Sequence, residues 1–98
     1  MIYFDNSATT KPYPEALQSY VTVAGKYFGN PSSIHSLGGE AERLLTQSRT
    51  IAAQLLHVKP SEIIFTSGGT EGNNLAIKGI AMRNHSRGKH IITTNIEH

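Results

Sequence analysis

The 98-residue sequence contains no cysteine. That excludes a disulfide framework, a Cys-ligated zinc and a cysteine nucleophile within these residues. No apolar run approaches the ~18 residues that a transmembrane helix needs, so no membrane contact is expected. Met1 to Asn6 lacks the basic region and apolar stretch of a signal peptide. Charge of one sign is also scarce. Nine Lys and Arg against seven Asp and Glu leave +2, scattered along the chain. No nucleic-acid surface is expected from such a balance. His35, His57, His85 and His90 show no H-x-x-x-H spacing. They read as surface or loop residues, and no metal site is expected. Nothing points to an oxidising compartment, so the cytoplasm is the default expectation.

What remains is one domain's worth of chain with a modest core. Apolar residues make up 38% of the sequence, too many and too periodic for a disordered tail. Met1–Phe4 is a short apolar run, and Asp5–Thr10 is rich in turn formers. Pro14 suits the first turn of a helix. Leu17, Tyr20, Val21, Ala24 and Phe28 then recur at spacings of three and four, predicting a helix from Glu15 to about Tyr27. Gly29-Asn30-Pro31-Ser32-Ser33 breaks it, and Ile34–Gly39 reads as irregular. A longer helix is predicted from about Gly39 to His57. Its apolar stripe comprises Ala41, Leu44, Leu45, Ile51, Ala52, Leu55 and Leu56, with Glu40, Glu42 and Arg43 on the wet side. Pro60 stops it.

The most informative part follows. Ile63-Ile64-Phe65-Thr66 reads as a strand buried on both faces, and so does His90-Ile91-Ile92-Thr93-Thr94. A helix is predicted between them, from Glu71 to about Asn84, with Leu75, Ala76, Ile80 and Met82 placed for burial. Strand, glycine turn, helix, loop, strand is a βαβ pattern over residues 62–95, and the expected fold class is α/β. In one parallel sheet both strands would end on the same edge, where open α/β sheets bind ligands.

Ser67-Gly68-Gly69-Thr70 lies at the first of those strand ends. Two glycines permit close backbone approach and positive φ. The first N–H groups of a helix, together with its dipole, favour an anion. Thr70 adds a hydroxyl donor. These are the parts of a phosphate seat, although neither the Walker pattern nor G-x-G-x-x-G is present. A plain helix start, capped by Ser67 or Thr70 with Glu71 complementing the dipole, explains the same residues.

Four segments carry a closer likeness. They are Tyr3-Phe4-Asp5-Asn6-Ser7-Ala8-Thr9-Thr10, Phe28-Gly29-Asn30-Pro31-Ser32-Ser33-Ile34-His35, Ile64-Phe65-Thr66-Ser67-Gly68-Gly69-Thr70-Glu71-Gly72-Asn73-Asn74-Leu75-Ala76, and Ile96-Glu97-His98. In this order and spacing they resemble the N-terminal part of the cysteine desulfurases, pyridoxal-phosphate enzymes of the class V aminotransferase group. The resemblance implies the beginning of a fold type I architecture. Residues 1–98 would be a truncated N-terminal segment. Within it, 1–38 would hold a helix and loops near the active site, and 39–98 would open the large cofactor-binding α/β domain.

By the same resemblance, Gly69 and Thr70 would bind the phosphate of pyridoxal 5'-phosphate. His98 would stack on the cofactor ring and move protons as a catalytic residue. The complete enzyme would be a homodimer. It would convert L-cysteine to L-alanine and pass sulfur, as a persulfide, to an acceptor protein for iron–sulfur clusters, tRNA thiolation or thiamine. Asn6 and His35 lie in matched segments without an assigned role. Asn73 and Asn74 either bond the neighbouring backbone or support the phosphate turn.

Two family features find no counterpart. No lysine among Lys11, Lys26, Lys59, Lys78 and Lys89 stands in the context of the lysine that carries the cofactor, and a sulfur-accepting cysteine is lacking. The chain by itself is therefore expected to be inactive. The resemblance also implies that later strands lie between the two strands present here. Another class V enzyme such as a selenocysteine lyase, or a non-catalytic phosphate-binding module, would share these segments.

Overall fold

The computed structural model describes residues 1–97. Three α-helices and one short 3-10 turn account for its regular structure, and no strand forms among the described residues. The chain divides into two compact units, Met1–Ile63 and the residues from Ile64 onward.

In the first unit, α1 spans Pro14–Lys26. Pro14 occupies the first turn, where its missing N–H costs nothing. Glu15 near the start and Lys26 near the end complement the helix dipole. The ammonium of Lys26 lies 5.4 Å from the centre of the Tyr27 ring. The predicted stripe is present but uncovered: Leu17, Tyr20 and Val21 remain 54%, 72% and 57% exposed.

The second helix, α2, spans Ser36–Leu56 and starts one turn earlier than expected. The cause is His35, whose Nδ1 accepts a hydrogen bond from the Gly38 amide at 3.3 Å. Histidine is not a usual N-cap, and Gly38-Gly39 reads as a helix breaker, so the sequence concealed this start. Before it, the side chain of Asn30 accepts from the Ser32 amide at 2.9 Å, and its carbonyl accepts from the Ser33 amide at 2.9 Å. This turn rests directly on Gly38, which is buried. A Cβ on Gly38 would lie 2.8 Å from the Asn30 carbonyl oxygen and closer still to that of Ser33.

The buried apolar side chains of α2 are Ala41 and Ala53. Leu55 and Leu56, expected in the buried stripe, are exposed. The helix closes at His57, whose backbone is left-handed at φ 55° and ψ 40°. The Val58 amide donates to the Ala53 carbonyl at 3.0 Å, as in a Schellman closure. Glycine suits that conformation better than histidine. His57→Gly is expected to stabilise the protein by about 0.5–1 kcal/mol, read as a higher urea midpoint. A lower midpoint would contradict the left-handed cap. Beyond it, α2 packs against the 3-10 turn Pro60–Glu62. The Glu62 carboxylate accepts from the Lys59 amide at 2.7 Å.

In the second unit, α3 spans Gly69–Arg83 and closes at Asn84, whose side-chain amide donates to the Ile80 carbonyl at 2.9 Å. An apolar groove of about 600 Å³, lined in part by Ala76, Ile77, Ile80 and Ile91, lies between α3 and residues 88–91. The βαβ unit expected at 62–95 is only half formed: the helix is present and the two strands are not. Ile63 has extended backbone at φ −95° and ψ 120°. Residues 63–66 and 88–94, however, join no ladder. A strand exists only through ladder bonds to a neighbouring strand, and no such ladder forms among the described residues. The expected two-sided burial fails with it, since Ile64 is 65% and Ile92 98% exposed. Leu75, Ile80 and Met82 of α3 are likewise exposed. No helix among the described residues is long and apolar enough to cross a membrane.

Candidate functional site

The start of α3 is built from a bend at Ser67-Gly68 followed by helix from Gly69. Gly68 is the N-cap, with φ 164° and ψ −173° and no side-chain cap bond. This is extended backbone open to any residue, so the expected positive φ is not used. Indeed, no glycine among the described residues lies in the left-handed region. What the glycine pair contributes is space. A Cβ on Gly68 or Gly69 would meet nothing within 4 Å. Beyond their chain neighbours, the described residues leave the space beside both glycines open.

The helical ladder begins with the Gly72 amide, which donates to the Gly68 carbonyl at 3.0 Å. The amides of Gly69 and Thr70 come before it, and such leading amides have no partner within their own helix. With the Thr70 hydroxyl they make a compact set of donors at the positive end of a dipole. That chemistry fits a phosphate group. Gly69 and Thr70, the two predicted cofactor-binding residues, thus sit together on an exposed helix terminus.

Ser67 and Thr70 do not cap the helix. Glu71, in the first turn of α3, instead reaches back past the cap, and its Oε2 accepts from the Ser67 amide at 2.6 Å. The Ser67 amide, with a further contribution from the Ser67 hydroxyl, holds the Glu71 carboxyl below its ordinary range. The carboxylate thus stays charged, and its bond intact, below the pH at which an ordinary glutamate protonates. The hydroxyl of Thr66 adds a second tie, donating to the Gly68 carbonyl at 3.2 Å. The sequence signal was present as an acidic residue in the first turn. Its reach back past the cap was not legible.

The other candidates divide. Asn74 donates from its side-chain amide to the Thr70 carbonyl at 2.8 Å, the backbone-bonding alternative of the two expected for it. In the first unit, the Asp5 carbonyl gathers the amides of Ala8 and Thr9 and the Tyr3 hydroxyl, at 3.1, 3.3 and 3.0 Å. Thr10 donates from its hydroxyl to the Asn6 carbonyl at 3.0 Å. This closes 5–10 into a turn stabilised by its own backbone. His35 is the cap of α2 described above. Near the chain end, the Thr94 hydroxyl donates to the Glu97 carboxylate at 2.9 Å. His98, the predicted stacking residue, lies outside the described residues. No group of three or more His, Asp or Glu is gathered to hold a metal among the described residues.

Comparison with known proteins extends this picture. The chain is 59% identical, over its full length, to a protein of Lactobacillus delbrueckii subsp. bulgaricus named NifS/IcsS protein homolog, of which it covers 26%. It is 47% identical over 99% of its length to the cysteine desulfurase IscS of Methanosarcina thermophila, covering 24% of that protein. It is also 47% identical over its full length to cysteine desulfurase 2 of Trichormus variabilis, again covering 24%. The chain thus spans about a quarter of the length of the curated relatives it matches. No solved structure gives a significant match. The family profile described as aminotransferase class-V matches residues 2–98, and the chain belongs to that family.

Proposed function

We propose that this chain is the phosphate-seating part of a pyridoxal-phosphate-dependent cysteine desulfurase. The observation that carries the reading is the start of α3, where Gly69 and Thr70 supply leading amides on an exposed terminus and a Cβ at Gly68 or Gly69 would meet nothing within 4 Å. The names of the relatives point the same way. In this reading Gly69 and Thr70 hold the phosphate through backbone and hydroxyl donors. When bound, the cofactor supplies an electron sink for reactions at the carbons of an amino acid. His98 stacks on its ring and carries protons, which suits an imidazole whose ordinary pKa of about 6.5 lies near working pH.

The complete enzyme works as a cytoplasmic homodimer on L-cysteine and releases L-alanine. The sulfur leaves as a persulfide on a cysteine outside these residues, since none is present within them. An acceptor protein then takes it toward iron–sulfur clusters, thiolated tRNA or thiamine. The α/β sheet of fold type I forms only with segments of the complete protein beyond the described residues.

The test has two arms. The full-length protein, loaded with pyridoxal phosphate, is expected to form alanine from L-cysteine. Selectivity for selenocysteine instead would favour the lyase. Absence of cofactor absorbance and of turnover would favour the non-catalytic module. The 98-residue chain, treated with pyridoxal phosphate and borohydride, is expected to yield no stoichiometric adduct at a single lysine. Such an adduct at one of its five lysines would overturn the assignment of the cofactor lysine elsewhere.

A further inference from the structure

The glycine pair at the start of α3 poses a physical problem. Gly68 and Gly69 have no side chains, and open space surrounds them. Packing therefore does little to fix the direction of the amides that follow, and glycine backbone samples many conformations at little cost. A site that must order itself on binding loses affinity to that ordering. Something must hold the turn beforehand.

Two side-chain bonds do so. Thr66 ties the carbonyl of Gly68 at 3.2 Å, and Glu71 ties the amide of Ser67 at 2.6 Å. The Glu71 bond spans the glycine pair, joining the residue before it to the first turn of α3. It also occupies the Ser67 amide, while the leading amides of the helix, those of Gly69 and Thr70 among them, precede the first helical bond at Gly72. Electrostatics alone argues the other way, because a carboxylate beside a phosphate repels it. The carboxylate is instead bonded to the backbone, at the Ser67 amide.

We infer that Glu71 is a positioning residue for the phosphate, its carboxylate bracing the Ser67–Thr70 turn so that the amides of Gly69 and Thr70 face one direction before the ligand arrives. The inference rests on the phosphate-seat reading given above. It assigns to Glu71 a role separate from contact with the phosphate.

Two conservative substitutions at this exposed position separate bracing from charge. Glu71→Gln keeps the length and an acceptor oxygen but removes the charge. Glu71→Asp keeps the charge but is one methylene short of the Ser67 amide. Pyridoxal phosphate is titrated into the full-length apoprotein and followed by absorbance, with inorganic phosphate as competitor. Bracing predicts Glu71→Asp about tenfold weaker and Glu71→Gln within about threefold of the parent, the scale of one lost hydrogen bond. Inorganic phosphate should compete in parallel with those changes. Unchanged or tighter binding by Glu71→Asp overturns the inference, as does equal weakening in both variants. Thr70→Val serves as the control. If it weakens binding while Glu71→Asp does not, only the role of Glu71 fails. If neither weakens binding, the phosphate seat itself fails.

Discussion

If the proposed phosphate seat is right, Thr70→Val in the full-length protein is expected to weaken pyridoxal phosphate binding by about 1–3 kcal/mol, or roughly 5- to 150-fold. The substitution nearly preserves shape and removes one hydroxyl. The parent residue lies in the first turn of α3, with its amide among the leading donors. Loss of the hydroxyl leaves a charged phosphate oxygen short of one donor, which costs more than a neutral bond. Valine is also β-branched, as threonine is, so the helix start is disturbed little. Cofactor titration of the apoprotein reads the effect, with thermal unfolding as the check on folding. Unchanged affinity would remove Thr70 from the phosphate site.

The second large effect concerns stability and changes sign between adjacent residues. Gly38→Ala is expected to destabilise by about 1–3 kcal/mol, because the added methyl overpacks a closed contact. The obstacle is backbone rather than a flexible side chain: the Asn30 oxygen at 2.8 Å and the Ser33 carbonyl carbon at 2.9 Å from the new Cβ. To make room, the Asn30–Ser33 turn must move off α2. Gly39→Ala, one residue on, meets nothing within 4 Å. There only the helix propensity changes, worth about 0.5–1 kcal/mol in favour of alanine. Opposite shifts in unfolding midpoint are therefore expected. Equal shifts of one sign would refute the packing of the turn on the start of α2.

These two predictions differ in how far the sequence alone could reach them. Thr70 was legible, because a Gly-Gly-Thr turn ahead of an amphipathic stretch announces a helix start with spare donors. The extents of α1 and α3 were legible for similar reasons: Pro14 fixes one beginning, and apolar spacing traces both. The contact at Gly38 was not legible. It depends on a loop eight residues earlier returning to the helix, and on a histidine acting as the cap, neither of which has a local signature.

The strands mark the opposite failure. Ile63–Thr66 and His90–Thr94 have strand composition, yet composition supplies only a preference. The ladder itself requires a neighbouring strand, and no strand forms among the described residues. The same dependence explains the exposed apolar faces of α1 and α3, whose periodicity was read correctly and whose cover is not found among the described residues. Glu71 lies between these extremes. Its acidity at a helix start was visible, while its grip on the Ser67 amide required coordinates.

The account stands or falls on where an anion rests. A crystal structure of the full-length protein with pyridoxal phosphate tests this most directly. It should place phosphate oxygens within about 3 Å of the Gly69 and Thr70 amides and the Thr70 hydroxyl, with the His98 ring against the cofactor. A phosphate held by other residues, with the start of α3 facing solvent or covered by an apolar side chain, would contradict it.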